Sequence, residues 1–289
     1  RQRQMCIRDS YNVYLIYKDL QRADFNRSWT GISYGSGYEG QGCVNDEMTN
    51  YYVEFMKKHI FAYLNPPITS KVLPMYWYLG YNVYSKGVLE VGGVILASWI
   101  VPIHENYDGL DYWCTCMFGE DNPSDPYLIP TDRALLDRRR KMILAPVLEK
   151  AVKAGNIIIP EEFEVGFDHV TNLIAGLGME DDPNYYLTRG YPGSVNTYVF
   201  NSISEPANNS YPPTNEETFI GYMHLSMYYN QARLAEVYPA DKYPFLTEKF
   251  AFVQKYLKDK YQIDLEAITN GPEDWDLPLP PIPETPDEE

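Results

Sequence analysis

The chain has 289 residues, of which 45% are apolar and 22% are charged, and its formal net charge is −16. This apolar content suffices for a sizeable hydrophobic core and excludes a globally disordered chain. The acidic balance argues against nucleic-acid binding, which depends on Lys and Arg, and no apolar run approaches the roughly 18 residues of a transmembrane helix.

The first ten residues, Arg-Gln-Arg-Gln-Met-Cys-Ile-Arg-Asp-Ser, resemble a translated sequencing adapter. We therefore expect residues 1–10 to be a non-native segment and leave them out of the fold prediction. A signal peptide or a lipid-anchor cysteine would then lie upstream of this sequence.

Three cysteines remain, which are Cys43, Cys114 and Cys116. An odd number does not form a disulfide framework, and the Cys-Thr-Cys spacing is shorter than that of a CxxC redox or zinc pair. We predict three ordinary thiols.

Hydrophobic periodicity and turn residues predict the elements of the first half. Asn45 is the expected N-cap of a helix that ends before Asn65-Pro66-Pro67. The predicted elements are a strand at residues 11–17, a loop at 24–42, a helix at 45–63, and a hairpin with strands at 71–84 and 88–103 around a turn at 85–87.

The second half is predicted to be mainly helical. Thr131-Asp132 and the capping box of Thr214 with Glu217 mark two helix starts, and Pro160 is expected at N1 of another helix. The predicted elements are an irregular segment at 105–130, helices at 131–153 and 160–177, an irregular segment at 180–213 with a short strand near 195–200, a helix at 214–237, and a last helix at 244–261.

This order predicts an α+β fold with a small, mostly antiparallel sheet followed by a helical subdomain. Residues 11–271 contain no interior linker rich in Ser or Pro, so we expect a single domain there. Residues 272–289 hold six Pro and seven acidic residues, a composition that predicts a disordered tail.

Metal-binding histidine motifs are absent from the sequence. The four histidines do not form HExxH, HxH or HxxxH. The glycine-rich run at residues 35–42 lacks the Lys-Ser/Thr of a phosphate-binding loop.

Four segments carry a family resemblance. They are residues 11–18 with Asp24-Phe25, residues 62–84, Asn215-Glu-Glu-Thr-Phe219, and residues 250–265. Together the segments resemble the zinc-binding metallopeptidase lipoproteins of Bacteroidota. The resemblance implies a zincin-like fold, a zinc-dependent peptidase ancestry, and a place in the cell envelope, either at the outer membrane or in the periplasm.

The family's HExxH motif is degenerate in this chain. On a helix that spacing places two imidazoles beside one Zn²⁺ with the Glu as general base. If His169 matches the first His, Val170 replaces the Glu and Leu173 the second His; if it matches the second, Val165 and Gly166 replace the first His and the Glu. The expected third ligand position holds Gly221.

A remaining metal hypothesis combines His169 with Glu217 and His224, and no spacing supports it. We expect no bound cofactor, and zinc if there is any. The 27 tyrosines suit contacts with peptides or sugars, although Tyr is also common on half-buried surfaces. The candidate ligand-cleft residues are Asn172, Tyr185, Tyr186 and Tyr222.

Three functions follow as hypotheses. The first is an envelope protein with a metallopeptidase-like fold, a degenerate site and a cleft for a peptide or polysaccharide. The second is an active metallohydrolase with non-standard ligands. The third is a structural or interaction lipoprotein of an outer-membrane nutrient-uptake cluster.

Overall fold

A computed structural model describes residues 7, 9–27, 37–107, 109–119, 130–272 and 275–281. Chain contacts divide it into two units. Unit 1 comprises Arg1–Phe61, Leu73–Arg139 and Trp275–Glu289, and unit 2 comprises Ala62–Val72 and Arg140–Asp274. That residues 11–271 form one structural domain stays a prediction.

The elements within the described residues confirm an α+β fold. The strands are β1 (Tyr14–Ile16), β2 (Gly37–Gly42), β3 (Tyr76–Val91), β4 (Val94–Pro102), β5 (Glu105–Asn106), β6 (Tyr112–Phe118), β7 (Ser194–Val195) and β8 (Ile203–Ser204). The helices are α1 (Arg22–Phe25), α2 (Asp46–Phe55, continued by a π-helix at Met56–Ile60 and a 3₁₀ turn at Phe61–Tyr63), α3 (Pro66–Thr69), α4 (Arg133–Lys153), α5 (Glu161–Glu164), α6 (Asn215–Tyr228), α7 (Gln231–Val237), α8 (Pro244–Tyr261) and α9 (Leu265–Asn270).

The sheet of unit 1 is organised around β3. Its first half, from Tyr76, pairs in parallel with β1 and with β6. Its second half pairs antiparallel with β2 and β4, and β5 joins the far side of β6 antiparallel. The sheet is therefore mixed, and three of its five described pairings are antiparallel, in agreement with the predicted small, mostly antiparallel sheet.

The predicted hairpin exists, but its turn lies elsewhere. β3 continues through residues 85–87, and the chain reverses at Gly92-Gly93, whose φ angles are +61° and +83°. Two left-handed residues fit a two-residue hairpin turn, which favours glycine. Gly87 serves a different purpose, because a Cβ there would lie 2.2 Å from Cε2 of the Trp99 ring.

Two segments predicted as irregular contain strands. Gly37–Gly42 is β2, and β5 and β6 lie within residues 105–130. β6 is buried along its whole length and contains the free thiols of Cys114 and Cys116. Cys43, which follows β2 in unit 1, is also a buried free thiol. The prediction of ordinary thiols is thus confirmed.

A buried ion pair joins β5 to the first part of α4. Nη2 of Arg139 lies 2.8 Å from Oε1 of Glu105, and these side chains are only 1% and 6% exposed. The same Nη2 donates to the carbonyl oxygens of His104 and Cys116, at 3.1 and 2.5 Å. The guanidinium therefore fixes the backbone on both sides of the β5–β6 pairing.

Neighbouring polar groups orient the Glu105 carboxylate. Oγ1 of Thr115 donates to Oε2 of Glu105 at 2.6 Å and accepts from Nε1 of Trp77 at 2.9 Å. Burial raises the pKa of Glu105 to about 7, while Arg139 and Thr115 act in the opposite direction. The network thus connects three strands and one helix of unit 1.

Part of the predicted disordered tail is packed. Within residues 275–281, Trp275 stacks on the buried His59 with ring centroids 4.9 Å apart, and Leu277 is buried. Lys58 also contacts Asp276 at 2.7 Å. Residues 273–274 and 282–289 lie outside the described part of the chain.

The longer helices of the second half of the chain confirm several predicted boundaries. Asp132 caps α4 by accepting from the backbone N–H of Leu135 at 2.8 Å, and α8 spans Pro244–Tyr261 as expected. The predicted helix at 214–237 is two helices, because Asn230 caps α7 by accepting from Arg233 at 2.9 Å. The short helix α9 was not predicted.

The predicted helix at 160–177 is wrong beyond its first turn. Only α5, Glu161–Glu164, forms, with Pro160 as its N-cap. Gly166 then adopts φ +93°, and Oδ1 of Asp168 accepts from the backbone N–H groups of Val170 and Thr171 at 2.9 and 3.1 Å. Such local side-chain bonds compete with a helix.

Lys249 anchors this segment from α8. Its side chain is only 3% exposed, and its Nζ donates to the carbonyl oxygens of Phe163 and Glu162 at 2.9 and 3.3 Å. Its Nζ also lies 5.2 Å from the ring centroid of Phe245. Burial lowers the pKa of Lys249. The lysine thus satisfies carbonyls that the short helix α5 leaves open.

We predict that Arg139→Met lowers the free energy of unfolding by about 3–5 kcal/mol, because Glu105 is left buried without its charged partner. Urea denaturation followed by circular dichroism measures the loss. Lys153→Met removes an exposed charge from the same helix and should cost less than about 0.5 kcal/mol.

A second variant separates charge from packing. In Glu105→Leu with Arg139→Met, both charges are absent, so stability should exceed that of Arg139→Met alone. Equal losses for Arg139→Met and Lys153→Met would contradict the role given to the ion pair.

Candidate binding cavity

A cavity of about 510 Å³ opens in unit 2. It is bounded by the chain leading into β7, by the proline-rich approach to α6, and by the first turns of α6. Its walls are formed by Leu173, Tyr191, Pro192, Gly193, Ser194, Pro206, Tyr211, Pro212, Pro213, Glu217 and Gly221. The walls are thus mostly apolar, with few polar side chains, which is typical of ligand sites.

Two glycines allow the cavity walls to approach each other. A Cβ on Gly193 would lie 2.6 Å from the carbonyl oxygen of Ser204, so only glycine fits against β8. A Cβ on Gly221 would lie 3.3 Å from Cγ of Pro192. The resemblance predicts a metal ligand at position 221, and the glycine there leaves space instead.

His169 lies on an irregular segment beside the cavity, not on a helix. Its Nδ1 is 2.8 Å from the carbonyl oxygen of Pro213, which can only accept, so Nδ1 carries the proton. Among the described residues, its buried Nε2 has no hydrogen-bond partner. Its contacts include Pro213 and Tyr191, which both line the cavity, and the ring of Phe167.

Glu217 faces the cavity and caps α6 at the same time. Its Oε2 accepts from the backbone N–H and from Oγ1 of Thr214, both at 2.8 Å. These hydrogen bonds lower the pKa of Glu217, so the carboxylate is ionised at neutral pH. The capping box predicted from the sequence is confirmed.

His224 is directed toward another partner. It is 8% exposed, and its Nε2 lies 3.7 Å from Oε2 of Glu149 on α4. Burial lowers the pKa of His224 to about 4, and the nearby carboxylate only partly offsets this effect. The imidazole is therefore neutral near pH 7.

The described residues around the cavity do not form a site that fits a zinc ion. Within the described ranges, no three His, Cys, Asp or Glu side chains come together in a way that could hold a metal. The hypothetical metal site of His169, Glu217 and His224 does not form at the cavity, since Glu217 lines its wall and the two histidines do not. The loss of the helix at 160–177 also removes the geometry that an HExxH motif requires.

The four candidate cleft residues lie elsewhere in unit 2. Tyr222 is fully buried and donates to the carbonyl oxygen of Gly190 at 2.5 Å. Tyr185 and Tyr186 are each 4% exposed and contact each other. Asn172 donates to the carbonyl oxygen of Asn209 at 3.0 Å. None of the four lines the described cavity.

Sequence reasoning missed most of the wall. Tyr211 is 83% exposed at the cavity, and Pro212-Pro213 leads directly into the cap of α6. The sequence does carry a signal for this part of the wall. An aromatic residue followed by two prolines and a capping box predicts a rigid, exposed approach to a helix. Tyr185, Tyr186 and Tyr222, which the sequence suggested for a cleft, are buried core residues instead.

No protein-family model matches this chain, and no curated protein matches it. Among solved structures, it is similar to a protein of Bacteroides caccae ATCC 43185 that is described as a "putative zinc-binding metallo-peptidase". Sequence identity is 14%, the match covers 91% of this chain and 85% of that chain, and the TM-score is 0.43. No helix of the described residues is long and apolar enough to cross a membrane.

We predict that the neutral, buried His224 makes stability depend on pH. Its pKa is lower in the folded protein than in the unfolded chain, so the unfolded chain takes up a proton first and stability falls as pH drops from about 6.5 to about 4. In His224→Gln this contribution is absent, and the loss over that range should shrink by on the order of 2 kcal/mol.

The measurement is the free energy of unfolding at several pH values for both proteins. An NMR titration of the His224 ring in the folded wild-type protein provides the control for the assignment. Identical pH profiles of the wild-type protein and the variant would contradict the prediction.

Proposed function

We propose that this chain is a binding protein of the cell envelope with a metallopeptidase-like fold and a degenerate peptidase site. Its ligand is a short peptide that occupies the cavity of unit 2. The observation that carries the proposal is the cavity of about 510 Å³ with apolar walls and one ionised carboxylate. The envelope location, at the outer membrane or in the periplasm, rests on the sequence resemblance.

The chemistry of the walls favours a peptide. The rings of Pro192, Pro206 and Pro212 and the side chain of Leu173 offer apolar surface to one or two aliphatic side chains. Glu217 is the single charged residue among the named lining residues, and it favours a cationic group on the ligand. A peptide with an aliphatic residue next to a lysine combines both features.

A glycan is the weaker candidate for this cavity. Sugar recognition uses several side-chain amides and carboxylates besides an aromatic platform, whereas here Ser194 and Glu217 are the main polar side chains of the wall. The exposed ring of Tyr211 is the feature that a sugar would use for stacking. Binding that depends on Tyr211 alone would therefore indicate a glycan.

The side chains near the cavity suit binding better than hydrolysis. A general base needs a free carboxylate or imidazole nitrogen aimed at a water molecule. Oε2 of Glu217 already holds the helix cap, and Nδ1 of His169 is held by Pro213. An active metallohydrolase with non-standard ligands would have to use Oε1 of Glu217 or the buried Nε2 of His169, and among the described residues no third ligand joins them.

We predict that Glu217→Gln weakens binding of acetyl-Lys-Leu-Ala-amide about two- to fivefold, because one surface charge pair contributes roughly 0.2–1 kcal/mol. Glutamine retains the capping box, so the helix start should be preserved. Isothermal titration calorimetry at low ionic strength measures the change. Glu216→Gln, on the neighbouring exposed residue, removes the same charge and should leave binding unchanged.

Two further probes identify the ligand class. Acetyl-Glu-Leu-Ala-amide should bind more weakly than the lysine peptide, and a trisaccharide such as maltotriose should not compete. Trisaccharide binding that is lost in Tyr211→Ala would show that the ligand is a glycan and not a peptide. If neither the peptides nor the trisaccharide bind, the proposal is overturned.

We predict that Gly221→Leu abolishes peptide binding while the fold is preserved. The leucine side chain would fill the cavity next to Pro192, and replacing a helical glycine raises helix propensity by up to about 1 kcal/mol. Gly221→Ala is the matched control and should retain most of the binding. Unchanged binding in Gly221→Leu would place the ligand elsewhere.

Zinc content tests the alternative hydrolase function. We predict substoichiometric zinc after dialysis, measured by inductively coupled plasma mass spectrometry. One zinc per chain that is lost in His169→Ala would instead support a metallohydrolase. A structural role in a nutrient-uptake cluster remains as the interpretation if neither a ligand nor zinc binds.

A further inference from the structure

The β3–β4 hairpin of unit 1 carries a large exposed apolar surface. Side chains alternate between the two faces of a strand, so a run of consecutive exposed residues leaves both faces open. Eight large apolar side chains of the hairpin are each between 43% and 63% exposed. They are Leu89, Val91, Val94, Ile95, Leu96, Trp99, Ile100 and Val101.

This surface matches the largest apolar patches that monomers expose. Eight large side chains that are each about half exposed present several hundred Å², and the largest patch of a typical monomer measures about 300–600 Å². The patch is of the order of the ~800 Å² that each partner contributes to a stable interface. Its size is therefore sufficient for a specific protein contact.

The outer edge of β4 is only lightly guarded against strand pairing. Among the described residues, β4 pairs with β3 and with no other strand. Natural edge strands are guarded by charges, prolines or bulges. Residues 94–101, Val-Ile-Leu-Ala-Ser-Trp-Ile-Val, contain no charge, whereas the register with β3 shifts once at Leu96 and the strand ends at Pro102.

We propose that β4 pairs antiparallel with β4 of a second copy of this chain and forms a symmetric dimer. A twofold axis perpendicular to a sheet places a residue opposite its own copy. The central residues of the exposed run are Ala97 and Ser98, which are both small. Pairing about Ala97 sets Ile95 opposite Trp99, and pairing about Ser98 sets Leu96 opposite Ile100.

The distribution of charge favours a second copy over a lipid surface. Peripheral binding to anionic membranes uses Lys and Arg around the apolar face. Residues 86–101 hold one basic residue, Lys86, and one acidic residue, Glu90, too few cations for a membrane-binding rim, and the whole chain carries −16. Repulsion between two acidic copies is screened within about 8 Å at physiological salt, whereas apolar contact is not.

Sedimentation velocity over a concentration series tests the dimer. The wild-type chain should pass from monomer to dimer and stop there. Ile95→Lys with Ile100→Lys should remain monomeric, because these lysines, which lie opposite Glu90 and Lys86 of β3, place two like charges along the pairing edge of each copy. Val170→Lys with Leu177→Lys places the same charges on exposed apolar residues of unit 2 and should still dimerise. Circular dichroism confirms that each variant is folded.

Cross-linking tests the register. In a Cys6→Ser background, either Ala97→Cys or Ser98→Cys should form an intermolecular disulfide on mild oxidation, because antiparallel Cα pairs lie about 4.5–5.5 Å apart. Val170→Cys should not cross-link. Dimers that form without either disulfide would overturn the strand pairing.

Several results would overturn the dimer itself. They are a monomer at every concentration, open-ended aggregation, and dimerisation of the Ile95→Lys, Ile100→Lys variant. Binding of a monomer to phosphatidylcholine vesicles that is lost in the same variant would assign the patch to a membrane surface instead.

Discussion

The pairing of β3 along its full length is the constraint on which unit 1 depends. Sixteen consecutive residues meet two parallel neighbours first and two antiparallel neighbours afterwards. The first half is covered on both faces, and the second half extends into an exposed hairpin. One strand thus forms the buried centre of the sheet and also supports β4 with its apolar edge. The hairpin depends on this arrangement, because β1 and β6 hold the first half of β3 in place.

Local signals determined which elements could be predicted. Asn45, Asp132, and Thr214 with Glu217 each cap a helix through a side chain within three residues, so the sequence alone specifies those starts. Competing local signals explain the failures. The apolar spacing at 160–177 suggested a helix, but the Asp168 carboxylate accepts hydrogen bonds from the backbone N–H groups of the residues that follow it and so competes with a helix. Gly87 suggested a turn, although its missing side chain accommodates the distant Trp99 ring.

The candidate site was less predictable than the fold, because its walls come from segments without periodicity. Glu217 was identified from its capping motif and does line the cavity. Tyr191, Tyr211 and Gly193 reach the wall through long-range packing, and their positions depend on the β7–β8 pairing. Tyrosine content alone cannot separate a core ring such as Tyr222 from an exposed one such as Tyr211.

The two uses of Glu217 bear directly on the function of unit 2. As a zinc ligand or a general base, its carboxylate would need at least one oxygen directed at the metal or at water. Oε2 instead receives both hydrogen bonds from Thr214, and this contact fixes the start of the helix that carries Gly221. Withdrawing the carboxylate would loosen the wall opposite Pro192. The cap involves Oε2 only, and the fixed negative charge that it holds beside an apolar wall suits recognition of a ligand.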